Sequence, residues 1–249
     1  MVQVRMITAG YPRVEAAIWL ARLKEQKPDW SVGYTCYPYN VAVARNEAFK
    51  EARDAFADFL IMIDDDVVPD KNIVTLPEHD LPVLSGLVPM SKNGLICFNA
   101  FDLSAEGIYS SLPGAGEGIR QVYAVGSALI CLRMDVLRHM KAPFNFELDE
   151  DGLVDVYGGE DLAFVYKCHA QDIPIYVDTD YVAEHYSKLE LGSALVRGNP
   201  NRTGPSVCAF DASEHLGNLP IGQGYHRLRR ERKSAALRAS VHGEPVPAN

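Results

Sequence analysis

Apolar and polar positions in the first third of the chain switch between two periods. Val2–Thr8 is rich in strand formers and stops at Ala9-Gly10, which predicts a strand. In Val14–Glu25 the residues Ala17, Leu20, Ala21 and Leu23 fall near one helical face. Trp30–Cys36 predicts a second strand, Val41–Phe56 a second helix and Phe59–Ile63 a short buried strand. Strands alternating with helices predict an α/β fold, a parallel sheet covered on both faces. Ligands of such sheets bind beyond the carboxyl ends of the strands.

The middle of the chain has a different texture. Pro82–Pro89, Leu95–Phe101 and Val122–Leu132 read as strands, with turns rich in Gly, Pro and Ser between them. Residues 110–118 form a loop, Met134–Met140 a short helix, Glu160–Ala170 another with Asp161 able to cap its start, and Ile173–Val177 a last strand. From Ser187 to Tyr225 the chain is irregular and rich in Gly, Pro and Asn, which predicts a mobile loop.

Composition narrows the picture. The 249 residues are enough for one large or two small domains, and 47% apolar residues can fill a sizeable core. A net charge of −9 argues against nucleic-acid binding by the whole surface. No apolar run reaches the length of a membrane span, and the N-terminus lacks the apolar core of a signal peptide. Five cysteines without a C-x-x-C pair suggest neither a disulfide framework nor a zinc knuckle, so a cytoplasmic, reducing setting is expected. The segment 226–238 runs against the overall charge, with six Arg or Lys against one Glu. It is a solvated basic tail or a contact for an anionic surface.

Candidate chemistry begins at FLIMIDDDVVPD, where an apolar run ends in Asp64, Asp65 and Asp66. Crowded carboxylates repel unless a cation is present. Asp64 and Asp66 alternate along an extended backbone, which points their oxygens the same way and suits Mg²⁺ or Mn²⁺. An EF-hand loop is excluded, since Pro69 and Thr75 stand where it requires Gly and Glu. Further on, Gly158 and Gly159 precede Glu160 and Asp161 at a helix start. Glycines allow close approach of a ligand, and a carboxylate there is a candidate general base. Val182–Tyr186 ends an apolar run in His185, a candidate third metal ligand.

Taken together, these segments resemble the GT-A class of glycosyltransferases, closest to family 2-like enzymes. ITAGYPRVEAAIWLARL resembles the first strand and helix of the nucleotide-binding half, and VAVARNEAFKEA the family's A-R-N helix. FLIMIDDDVVPD resembles the strand bearing the D-x-D signature, VYAVGSALICLRMDVL the V-G-[ST] segment of the donor-sugar pocket, and YGGEDLAF the motif carrying the base of inverting members. The resemblance spans about residues 2–188.

It implies a single GT-A type domain over 1–190, with a Rossmann-like, mostly parallel central sheet and a smaller mixed sheet on the acceptor side. Its nucleotide-binding half is 1–90 and its acceptor and catalytic half 91–190. A flexible loop or lid over 191–225 and a basic C-terminal helix and tail over 226–249 follow. The implied cofactors are Mn²⁺ or Mg²⁺ and a nucleotide-sugar, with UDP the expected nucleotide. The implied metal ligands are Asp64, Asp66 and His185. Donor-binding residues would be Thr8, Ala9, Gly10, Arg45, Asn46, Asp64, Asp65, Gly126, Ser127, Gly158 and Gly159. Asp161 would deprotonate the acceptor hydroxyl, with Glu160 holding an acceptor or sugar hydroxyl. Tyr37 and Tyr39 are candidates to stack on the base. The acceptor is not specified.

The chain lacks the Q-x-x-R-W motif of processive synthases, which points to single transfers. A haloacid-dehalogenase-like phosphohydrolase also matches Asp64, Asp66 and Val68, with Val83–Gly86 resembling its second motif. A later acidic strand end is lacking for that reading. A nucleotidyltransferase would want a Gly-rich basic loop after the first strand, of which residues 7–13 are a poor version.

Overall fold

The computed structural model describes residues 1–38, 40–92, 95–104, 109–112, 114–147 and 158–186. Tyr39, the proposed lid and the basic tail lie outside the described residues. The chain begins β1 (Val2–Thr8), α1 (Val14–Gln26), β2 (Ser31–Cys36), α2 (Val41–Asp54) and β3 (Phe59–Asp64). The element bounds follow the sequence pattern closely, but the buried face of α1 is Ala16, Leu20 and Leu23, while the expected Ala17 and Ala21 are exposed. Asn40 caps α2, its side chain accepting from the amides of Ala42 and Val43 at 3.0 and 3.3 Å. A turn at Asp65–Asp66 leads to β4 (Val67–Val68) and a 3₁₀ helix, Lys71–His79.

Then come β5 (Val83–Leu87), β6 (Pro89–Lys92), β7 (Leu95–Phe98), β8 (Ala100–Leu103), β9 (Tyr109–Ser111), β10 (Ile119–Val122), β11 (Ala124–Val125) and β12 (Leu129–Arg133). The described chain ends with α3 (Met134–Leu137), α4 (Glu160–His169), β13 (Ile175–Val182) and β14 (Glu184–His185).

The central sheet has seven strands in the order β10-β13-β5-β12-β3-β1-β2. Five of them run in one direction, with β12 antiparallel to both β3 and β5 and β10 antiparallel to β13. The sheet is therefore mostly parallel, as expected, and it draws strands from both halves of the chain. Smaller sheets are β11-β8-β9, β14-β4 and β6-β7.

The two faces of the sheet bury separate cores. Leu60 and Met62 of β3 pack with Ala44, Ala48 and Phe49 of α2 and Phe164 of α4, whereas Ile61 and Ile63 face Ala16, Leu20 and Leu23 of α1. A strand covered on both faces must be apolar throughout, which is why FLIMI carries no polar alternation. Each such side chain contributes roughly 1.5–3 kcal/mol by leaving water.

Two expected long strands are broken. Asn99 divides Leu95–Phe101 into β7 and β8. Its side-chain oxygen accepts from the Val88 amide at 2.7 Å, while its own amide donates to the Val88 carbonyl at 3.1 Å. Val122–Leu132 divides into the end of β10, then β11 and β12, with Gly126-Ser127-Ala128 as the crossing between sheets. The last strand is longer than expected, because β13 continues to Val182 beside β5 past an irregularity between Asp178 and Val182. α2 stops two residues early, since Phe56 has φ 54°, outside the helical region.

Gly86 is where β5 meets β13 and β12 most closely. A Cβ there would lie 2.4 Å from Tyr181 Cδ1 and 2.8 Å from Leu129 Cδ2. Gly86→Ala is expected to lower the stability by about 1–3 kcal/mol through overpacking. A urea unfolding midpoint equal to wild type would contradict that.

Candidate active site

The carboxyl end of β3 is the meeting point. Asp64 is the last residue of that strand, and Arg45 of α2 reaches it with an Nη2 to Oδ1 hydrogen bond of 2.6 Å. The other terminal nitrogen of the same guanidinium, Nη1, donates to Oε1 of Glu160, the first residue of α4. Arg45 is 4% exposed and Glu160 8%. Burial pulls the guanidinium toward neutrality, but Asp64, Glu160 and Asp161 more than offset this and leave its pKa raised. It stays charged. Burial pushes the Asp64 carboxyl up, Arg45 opposes this, and Asp66 and then Glu160 add to the upward push; the net direction is up.

Asp161 follows on the first turn of α4. Burial is the main cause that raises its pKa, Glu160 adds to it and Arg45 lowers it, leaving the group at about 6. It is not the N-cap residue expected from the sequence. Gly159 holds that position, and Asp161 Oδ1 accepts from the Leu162 amide at 2.8 Å. Gly158 and Gly159 take φ values of 81° and 149°, which L-residues with side chains rarely adopt. A Cβ on Gly159 would meet Asp161 Oδ1 at 2.7 Å. On the other side, a Cβ on Gly126 would lie 3.5 Å from Asp161 Oδ2. The two glycine segments singled out in the sequence therefore flank this carboxylate.

The three aspartates do not share one direction. The strand ends at Asp64, so alternation does not govern Asp65 and Asp66, which lie in a turn. Asp65 turns toward β1, where Thr8 Oγ1 donates to its Oδ2 at 2.5 Å, and its carbonyl accepts from the Arg13 amide at 3.0 Å. Thr8 is buried and also accepts from the Gly10 amide at 3.0 Å, while Ala9 and Gly10 are exposed beside it. Asp66 faces His185, with Nε2 to Oδ2 at 3.3 Å. The pairing of β14 with β4 delivers His185 there, and the Tyr186 amide closes on the Asp66 carbonyl at 2.8 Å.

His185 Nδ1 lies 2.7 Å from the Pro89 carbonyl. A carbonyl can only accept, so Nδ1 carries a proton, and Nε2 faces the Asp66 carboxylate either as a second N–H donor or, unprotonated, as a metal ligand. With Nε2 unprotonated, a cation between it and the Asp66 oxygen would hold the two acceptors together. This donor set fits a divalent ion of the Mn²⁺ type, with a backbone carbonyl orienting the imidazole from behind. Among the described residues no three His, Cys, Asp or Glu side chains converge as a ready metal cluster.

Other expected residues have different surroundings. Asn46 does not reach the carboxylates: its amide pairs reciprocally with the backbone of Phe144, accepting from that residue's amide at 3.0 Å and donating to its carbonyl. Ser127 is buried, and its hydroxyl has no hydrogen-bond partner among the described residues. Tyr37 is 44% exposed, with its amide on the Thr8 carbonyl at 3.0 Å, at the same strand ends as the site.

Sequence reasoning missed Asn99. It lies 1% exposed beneath Gly126, accepting that residue's amide on its carbonyl at 2.7 Å and donating to Ser85 Oγ at 3.3 Å. A lone Asn inside the apolar run ICFNAF was the available signal.

No protein-family model matches the chain, and no curated protein does. Solved structures do resemble it. A197 from STIV superposes with a TM-score of 0.53 at 19% identity, over 76% of this chain and 87% of that one. GalNAc-T7, solved with UDP, GalNAc and Mn²⁺, gives 0.45 at 11% identity over 76% and 38% of the two chains. S. aureus TarS 1-349 in complex with UDP gives 0.41 at 17% identity over 74% and 59%. The chain shares the fold of A197; the two more distant likenesses carry no argument about chemistry.

The half-buried carboxyl of Asp161 has a consequence for stability. Its folded-state pKa lies above the ordinary 3.8, so the folded protein holds that proton more tightly than the unfolded chain. Ionising it between pH 3.8 and about 6 costs stability, on the order of 2–3 kcal/mol above that window. Asp161→Asn should therefore be more stable than wild type at pH 7.5 by that order, with the gap closing near pH 4. A gap that is constant with pH in denaturant titrations would contradict the burial.

Proposed function

We propose that the chain is a metal-dependent glycosyltransferase of the GT-A type, which moves one sugar from a nucleotide-sugar to an acceptor hydroxyl with inversion. The observation that carries this reading is that Asp66 and His185, a pair of candidate metal ligands, and a separate half-buried carboxylate, Asp161, whose pKa burial raises to about 6, lie around the carboxyl end of β3. The residue order along the chain is the one the family resemblance implies.

Asp66 and His185, with Asp64 beside them, would hold Mn²⁺ or Mg²⁺, which when bound offsets the diphosphate charge as the nucleoside diphosphate leaves. Ala9 and Gly10 border the nucleoside, and Thr8 shapes that edge from within by fixing Asp65. UDP is the expected nucleotide, with Tyr37 in position to stack on its base. Gly126, Gly158 and Gly159 would border the donor sugar, as the resemblance implies, with Ser127 buried behind Gly126. Asp161 takes the acceptor proton on a carboxylate oxygen as the acceptor oxygen attacks the anomeric carbon opposite the leaving group. Glu160 offers its second oxygen to a substrate hydroxyl.

A phosphohydrolase at Asp64 and Asp66 would leave the Glu160–Asp161 turn without a role, although Arg45 ties that turn to Asp64.

The test is nucleotide release from UDP- and GDP-sugars with Mn²⁺ and a panel of hydroxyl acceptors. The rate should rise about tenfold per pH unit below pH 6 and level off above it, since the ionised form of Asp161 acts. Asp161→Asn should lower the rate by about 10²–10⁴-fold while nucleotide affinity stays. A variant that keeps wild-type turnover would remove Asp161 as the base.

A further inference from the structure

The family resemblance gives Arg45 to the donor, but its surroundings give it another task. The side chain is 5% exposed and both terminal nitrogens are engaged by protein carboxylates, one from β3 and one from α4. Asn46, the next residue of the same helix, fixes the backbone of Phe144, and the Phe144 ring stacks on Phe164 of α4 at 4.8 Å between centroids. Adjacent residues of α2 thus fasten α4 at two points one turn apart.

We propose that Arg45 is a positioning residue for the base: it clamps the Glu160–Asp161 turn to the carboxyl end of β3 and supplies the charge that keeps Asp161 ionised. The inference rests on the transferase reading only for the word base; the clamp stands on the geometry. Among the described residues, the groups facing Asp161 are Glu160 on its own helix, Arg45 from α2, and the backbone of Gly126 from the β11 side. Among the described residues, Arg45 and Glu160 act on it with opposite signs. Lys at position 45 keeps the charge but cannot fork to two carboxylates.

The test is a ¹³C NMR titration of the Asp161 side-chain carboxyl in the full chain without donor or metal. Arg45→Gln should move the midpoint up from about 6 by a pH unit or more. Glu160→Gln should move it down, and Arg45→Lys should move it less than Arg45→Gln. Unmoved midpoints in folded variants, judged by a dispersed amide spectrum, would overturn the proposal. Should Arg45→Gln fail to fold, Glu160→Gln and Arg45→Lys decide it by the same criterion. The acid limb of nucleotide release should follow the NMR midpoint in each variant. NMR shifts as described, with no sugar nucleotide turned over by wild type, would uphold the clamp and overturn the transferase reading.

Discussion

One guanidinium, that of Arg45, stands between two carboxylates that the sequence separates widely: Asp64 at the end of β3 and Glu160 at the start of α4. A buried cation of this kind is tolerated because its charge is matched, and its loss would leave uncompensated anions at a cost of about 3–5 kcal/mol. The arrangement fixes more than charge. It sets how far the first turn of α4 lies from the acidic turn after β3, and so where Asp161 stands relative to Asp66 and His185. The glycines before α4 belong to the same constraint, since the φ values of both disfavour a side chain and a Cβ on Gly159 would run into Asp161.

The sheet topology makes this meeting possible. β12 enters antiparallel between β3 and β5, which carries Gly126 and Ser127 to the same end of the sheet as Asp64. β13 then runs parallel to β5, and its continuation into β14 returns the chain to β4, bringing His185 against Asp66. Each crossing is held by backbone pairing, while Asn99 ties β5, the strand break and the Gly126 crossing through its one side chain.

Much of this was legible in the sequence. The period-switching pattern of residues 2–64 yields the β–α order because each segment answers to a core that repeats every two or every 3.6 residues. The glycine and carboxylate pairs were legible because their chemistry depends on neighbours in sequence. What escaped was long-range. The break at Asn99 depends on Val88, and the antiparallel entry of β12 depends on β3 and β5; neither partner is nearby in sequence. The shared direction of Asp64 and Asp66 failed as an argument because the strand ends at Asp64, a boundary set by pairing with β1 and β12. Arg45 and Asn46 were visible through the A-R-N resemblance of α2, but their partners, Glu160 and Phe144, come from the far half of the chain.

The account places a cation at the Asp66–His185 pair, with Asp64 between it and the Arg45 clamp, and makes nucleotide binding depend on it. Calorimetric titration with UDP, with GDP as control, in the presence and absence of Mn²⁺, on wild type and Asp66→Asn, addresses this directly. The account predicts binding that requires Mn²⁺ and is lost in Asp66→Asn. Binding of neither nucleotide with metal up to millimolar concentrations, or equal binding by Asp66→Asn, would contradict it.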